Sequence, residues 1–79
     1  MFESTKSYQT FLDDYRKDIF VMLLALGADR TEASDLLSDY DKDIVSWAGT
    51  RPSSGPIRTA AMAARSIMTL AHPDNYYGL

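Results

Sequence analysis

Residues that could carry out catalysis are few in this chain. It contains one histidine, His72, and no cysteine among 79 residues. No glycine-rich phosphate-binding loop is present, and the spacing of the serines and aspartates predicts no acid–base pair. We therefore expect a protein that is not an enzyme and that holds no cofactor. The absence of cysteine also excludes Cys-based zinc sites and fits a reducing compartment.

A run of alternating aspartates is the one pattern that suggests metal binding. Asp39, Asp41 and Asp43 have the spacing with which an EF-hand calcium loop begins. The sixth position of such a loop requires glycine and is Ile44 here, and the twelfth requires glutamate and is Thr50. These mismatches favour an acidic helix surface, and we predict no metal site.

The charge of the chain is unevenly distributed. The net charge is -3, but residues 31–48 carry five acidic residues against one lysine, and residues 51–79 carry three arginines against one aspartate. An acidic face can bind a basic partner, although it can also be an ordinary solvated surface. We adopt the interpretation as a binding face and predict that four aspartates contact a partner: Asp35, Asp39, Asp41 and Asp43.

The tripeptide His72-Pro73-Asp74 follows a predicted helix. It resembles the tripeptide through which J-domain co-chaperones contact heat-shock chaperones. In that family the tripeptide lies between two antiparallel helices and the preceding helix is strongly basic, whereas here five residues follow Asp74 and the preceding helix offers Arg58 and Arg65. The resemblance implies a co-chaperone-like fragment as a third possible function. The alternative is a helix C-terminus that proline ends.

Residues 26–33 resemble the openings of two helical families. They are similar to part of a helix-turn-helix, and to a ubiquitin-associated domain, whose second helix also begins after a glycine-containing loop. The first resemblance implies a small DNA-binding regulator that uses Arg58 and Arg65. However, its recognition helix would present Asp41 and Asp43 to phosphate, where lysine or arginine is needed. DNA binding is therefore the alternative function, and nucleic acid the less favoured partner.

An uninterrupted apolar run, residues 19–26, closes the first predicted helix. Apolar residues at intervals of three and four predict this helix over residues 5–26, and Gly27 ends it. A helix that is apolar on all sides must be buried on all sides, and a short chain has little material with which to cover it. We therefore predict a homodimer whose seam contains Phe20, Val21 and Leu24.

Two further helices are expected. The second is predicted over residues 30–48 and begins with a capping box of Asp29 and Glu32. The main alternative is a break in this helix near residues 39–41, because aspartates are poor helix formers. The third, over residues 56–71, starts at Pro56 after a turn-rich connector. Its inner stripe is rich in alanine: Ile57, Ala60, Ala61, Ala64, Ile67, Met68 and Ala71.

The last predicted segment is a short aromatic tail, residues 73–79. Tyr76 and Tyr77 lie outside every helical stripe, so we predict that they either cap the core or anchor a partner. Together these features predict one compact all-α domain of three helices, residues 1–79, without a signal peptide or membrane span and located in the cytoplasm. The predicted function is that of an adaptor or inhibitor, which engages a protein partner through the acidic helix face, the aromatic tail, or both.

Overall fold

The computed structural model describes residues 7–49 and 55–75, and every regular element in these residues is an α-helix. They are α1 (Tyr8–Ala25), α2 (Arg30–Asp39), α3 (Asp41–Ala48) and α4 (Ala60–Ala71). The all-α prediction is confirmed. The predicted count of three helices is wrong, because the helix expected over residues 30–48 is divided at Tyr40.

Both ends of α1 follow from local chemistry. Ser7 is the N-cap, and its side chain accepts a hydrogen bond of 3.1 Å from the Thr10 N–H. At the other end, the Gly27 N–H donates to the Leu24 carbonyl and the Ala28 N–H to the Leu23 carbonyl. This is a Schellman motif, and it requires the positive φ of 112° that Gly27 adopts. The predicted end of the first helix at Gly27 is confirmed.

Asp29 begins α2 as predicted. Its carboxylate accepts a hydrogen bond of 2.8 Å from the Glu32 N–H, which satisfies one of the free donors at the helix start. In a full capping box the Glu32 carboxylate would also accept a hydrogen bond from the Asp29 N–H, and here it does not. It lies instead 2.5 Å from the His72 ring, at the end of α4.

The division between α2 and α3 places aspartates where a helix tolerates them best. Tyr40 has φ -107° and ψ 22°, which interrupts the helix after Asp39. Asp41 and Asp43 then lie in the first turn of α3, where the partial positive charge of the helix N-terminus stabilises carboxylates. An ion pair of 2.9 Å between Arg16 of α1 and Asp41 holds the N-terminus of α3 against α1. The rival interpretation of a break near residues 39–41 is therefore the one observed.

The connector before α4 is not helical, so the third predicted helix starts late. The Ile57 N–H donates to the Trp47 carbonyl at 2.7 Å, and the Tyr15 hydroxyl donates to the Arg58 carbonyl at 2.6 Å. These bonds hold the connector against α1 and α3 until Thr59, which caps α4 by accepting from the Met62 N–H. Ile57 therefore lies outside the helix and is 76% exposed. Its predicted place on the inner stripe is wrong.

α1 is the central element, and each of the other helices packs against it. The four largest fully buried side chains come from three of the four helices: Ile19, Leu23, Ile44 and Ile67. Ala63 and Ala64 are also fully buried, and their small side chains allow α4 to approach α1 closely. The prediction that alanines let the last helix pack tightly is consistent with this arrangement.

Candidate functional site

An exposed acidic surface extends along α2 and into α3. Asp35, Asp39 and Asp43 recur at intervals of four residues, and all three are exposed. Within residues 7–49 and 55–75, no hydrogen bond or ion pair holds their carboxylates. We call these three residues the acidic face. Within the described part of the chain, their charges remain open to a partner.

Asp41, the fourth predicted contact, has a different environment. Its carboxylate forms the ion pair with Arg16 and accepts a hydrogen bond of 3.1 Å from Arg16 Nε. The same guanidinium lies 3.6 Å from Asp13. Asp41 therefore belongs to a contact between α1 and α3, and much of its charge is balanced inside the molecule.

The residues of the predicted seam divide into two kinds. Phe20 and Leu24 are half-buried and pack against the core of their own chain. Val21 is 56% exposed, and its neighbour Met22 is also exposed. Of the three residues predicted to associate with a second copy, Val21 is thus the one that presents most of its surface outward.

The arginines of the predicted DNA-binding surface also differ from each other. The Arg58 guanidinium lies 5.4 Å from the centroid of the Trp47 ring, and its Nη1 atom is 3.5 Å from Ser66 Oγ. Arg65 is exposed on α4. Cation–π stacking and the long hydrogen bond give Arg58 an internal role that links α3 to α4, which sequence reasoning did not detect because the connector brings these residues together.

The His72-Pro73-Asp74 tripeptide lies at the end of α4. His72 is the C-cap residue of the helix, and Pro73 and Asp74 are exposed in the turn that follows. The imidazole Nε2 atom is held by Glu32 of α2. This contact ties the C-terminal turn of α4 to the N-terminal turn of α2. Tyr76 and Tyr77, the predicted aromatic anchors, lie outside the described residues.

A shallow cleft of about 300 Å³ lies between α1 and the connector before α4. Its lining is mostly apolar, with Asp14 and Asp18 at one side: Phe11, Asp14, Tyr15, Asp18, Pro56, Thr59 and Ala60. Burial raises the pKa of the Tyr15 hydroxyl to about 12, against a smaller lowering by the charge of Arg58. Tyr15 therefore stays protonated at neutral pH, where it is a hydrogen-bond donor to the backbone rather than an acid or base.

Groups that could bind a metal are not brought together in residues 7–49 and 55–75. No three histidine or acidic side chains there lie close enough to hold one ion. Asp39 ends α2 while Asp41 and Asp43 begin α3, so these residues form helix ends rather than a calcium-binding loop. Among the same residues, no helix combines the length and the hydropathy needed to cross a bilayer.

Comparison of the chain with protein-family models, with curated proteins and with solved structures gives no significant match. The function is therefore inferred from the surfaces described above.

Proposed function

We propose that this protein is a small, non-enzymatic binding module of the cytoplasm that engages a basic surface of a partner protein, as an adaptor or an inhibitor. The observation that carries this proposal is the acidic face, where Asp35, Asp39 and Asp43 are exposed and unpaired within the described residues. The cysteine-free composition supports a reducing compartment.

The spacing of the acidic face favours recognition of an extended basic surface. Residues four apart on a helix are neighbours, so Asp35 and Asp39 lie on one side of α2, whereas Asp43 lies in the first turn of α3. Like charges at this spacing repel one another by a few tenths of a kcal/mol, about 0.2–0.5 per pair. A basic partner relieves this repulsion, and charge complementarity of this kind increases association rate and specificity.

An affinity-capture experiment tests the proposal. The wild-type protein is immobilised and exposed to cell extract at low and high salt, beside a variant in which Asp35, Asp39 and Asp43 are all replaced by Asn. We expect the wild type to retain a basic partner at low salt and the variant to lose it, because the exposed charges provide the attraction.

A control variant changes the net charge by the same amount on another part of the surface. It combines Met62→Lys, Leu70→Lys and Asp74→Asn, all at exposed positions. We expect this control to keep the partner captured through the acidic face. The proposal would be overturned if the wild type and the Asn variant captured the same proteins, or if the wild type captured none. Retention of the wild type on DNA in place of protein would favour the alternative of a nucleic-acid-binding regulator.

We further propose that the protein self-associates through the exposed side of α1. Val21 and Met22 supply adjacent apolar side chains there, and Phe20 and Leu24 flank them while packing against the core. Apolar surface that stays in contact with water favours association with a second copy. The expected assembly is a homodimer.

A further inference from the structure

A stripe of two exposed apolar side chains with a serine between them runs along the solvent side of α4. Met62, Ser66 and Leu70 follow one another at intervals of four residues, which places them on one side of the helix. Met62 is 44% exposed and Leu70 is 58% exposed. Ile57, in the connector just before α4, exposes even more of its surface. None of these side chains contributes to the acidic face.

The stripe adjoins the contact by which Arg58 links α3 to α4. The Arg58 guanidinium lies over the Trp47 ring of α3 and reaches Ser66, the middle residue of the stripe. Trp47 is half-buried, so part of its surface remains accessible. A ligand lying on the stripe would therefore contact apolar, aromatic and cationic atoms together.

Arg58 and Arg65 place two positive charges beside the stripe, and the exposed Asp74 follows beyond the end of α4. α4 contains no acidic residue, and Arg65 is exposed on it. Among the described residues, no acidic side chain forms an ion pair with Arg65 or Arg58. The combination of exposed apolar side chains with guanidinium groups is complementary to a segment that is apolar on one side and acidic on the other.

We propose that this surface, the α4 groove (Ile57, Arg58, Met62, Arg65 and Leu70), binds an acidic amphipathic helix of a partner protein. Apolar residues of such a helix at intervals of three and four match the stripe. Its carboxylates form charge-assisted hydrogen bonds with the guanidinium groups. The proposal goes beyond the acidic face, because a second surface of opposite charge makes the protein an adaptor between a basic and an acidic partner.

Trp47 provides the readout for a direct test, since it is the one tryptophan of the chain and lies beside the groove. The probe is a synthetic helical peptide with leucine at intervals of three and four and glutamate at the other positions. Its titration is followed by Trp47 fluorescence and by calorimetry. We expect saturable binding of this peptide and none of a control peptide with lysine in place of glutamate.

Variants at exposed positions locate the binding site without disturbing the core. Replacing Met62 and Leu70 together by Ser, or Arg65 by Gln, is expected to raise the Kd by about tenfold, which corresponds to a loss of about 1.4 kcal/mol. Arg30→Gln, which removes an exposed arginine from α2, is the matched control for Arg65→Gln and is expected to leave the Kd unchanged.

Three results would overturn the proposal: no binding of the glutamate peptide, equal binding of the lysine peptide, or equal weakening by Arg30→Gln. The variant with Asn at Asp35, Asp39 and Asp43 is expected to bind the glutamate peptide at least as well as the wild type. Failure of the acidic face and failure of the α4 groove are therefore separate outcomes.

Discussion

At the scale of single residues, Tyr15 joins the central helix to the connector that precedes α4. Its ring is buried and its hydroxyl donates to the Arg58 carbonyl at 2.6 Å. Arg58 in turn lies over Trp47, so one hydroxyl helps to position the residue that links α3 to α4. The periodicity of α1 predicts that Tyr15 is buried, but its partner is 43 residues away in sequence and follows only from the fold.

Removing this hydroxyl tests how much it stabilises the fold. We expect Tyr15→Phe to lower the free energy of unfolding by about 1 kcal/mol near pH 7, because the Arg58 carbonyl loses a buried donor. Urea unfolding followed by circular dichroism measures the change. The control is Tyr8→Phe, whose hydroxyl donates to the Gly49 carbonyl at 2.9 Å from an exposed position. An equal loss in both variants would show that burial of the bond is unimportant.

The stability of Tyr15→Phe is also expected to differ from that of the wild type in its dependence on alkaline pH. The pKa of Tyr15 is about 12 in the fold and 10.0 as the ordinary value, so the protonated hydroxyl stabilises the fold fully below pH 10. That contribution is lost as the pH rises from 10 towards 12. Stability is therefore expected to fall less steeply across this interval in Tyr15→Phe than in the wild type. If the stability of both proteins fell equally between pH 10 and pH 12, the raised pKa of Tyr15 would be contradicted.

At the scale of elements, local sequence predicts the starts and stops that depend on neighbouring residues. Gly27 ends α1 and Asp29 begins α2 as the sequence indicates, because cap motifs are complete within a few residues. The division at Tyr40 follows in part from the local run of aspartates, and the late start at Thr59 depends on distant partners. Arg16 binds Asp41, and Trp47 and Tyr15 hold the connector, so neither boundary could be read from helical periodicity alone.

Gly27 offers a test of the helix stop. A Cβ atom at Gly27 would meet no other atom within 4 Å, so the cost of a side chain there lies in the backbone. With a φ of 112°, Gly27→Ala is expected to lower the free energy of unfolding by about 1–2 kcal/mol. Gly27→Asn is expected to cost less, because asparagine adopts positive φ more readily. Thermal unfolding ranks the three proteins, and an alanine variant as stable as the wild type would contradict the Schellman assignment.

At the scale of the whole molecule, the exposed surfaces differ in what the sequence could predict. Composition indicates the acidic region, and the fold then separates Asp41, which Arg16 neutralises, from the exposed Asp35, Asp39 and Asp43. The α4 groove was not predicted, because Met62 and Leu70 lie outside the predicted inner stripe and Arg58 comes from the connector. The contact between Arg58 and Trp47 beside it follows only from the packing of the connector against α3.

Self-association through the exposed side of α1 is the last proposal to test. Leu24 is half-buried, so Leu24→Asp would place a charge against the core and unfold the chain. A lower mass in light scattering would then not report on the seam. Val21 is 56% exposed, so Val21→Asp disturbs the proposed seam while leaving the core intact.

We expect light scattering to show a dimer for the wild type and a monomer for Val21→Asp, with the same helical circular dichroism for both. The matched control is Leu70→Asp, which adds the same charge at a comparably exposed position on α4. It is expected to remain dimeric, because Val21 and Leu70 lie on different helices and the seam is assigned to α1. A monomeric wild type at millimolar concentration, or dissociation by both variants alike, would rule out a dimer through this side of α1.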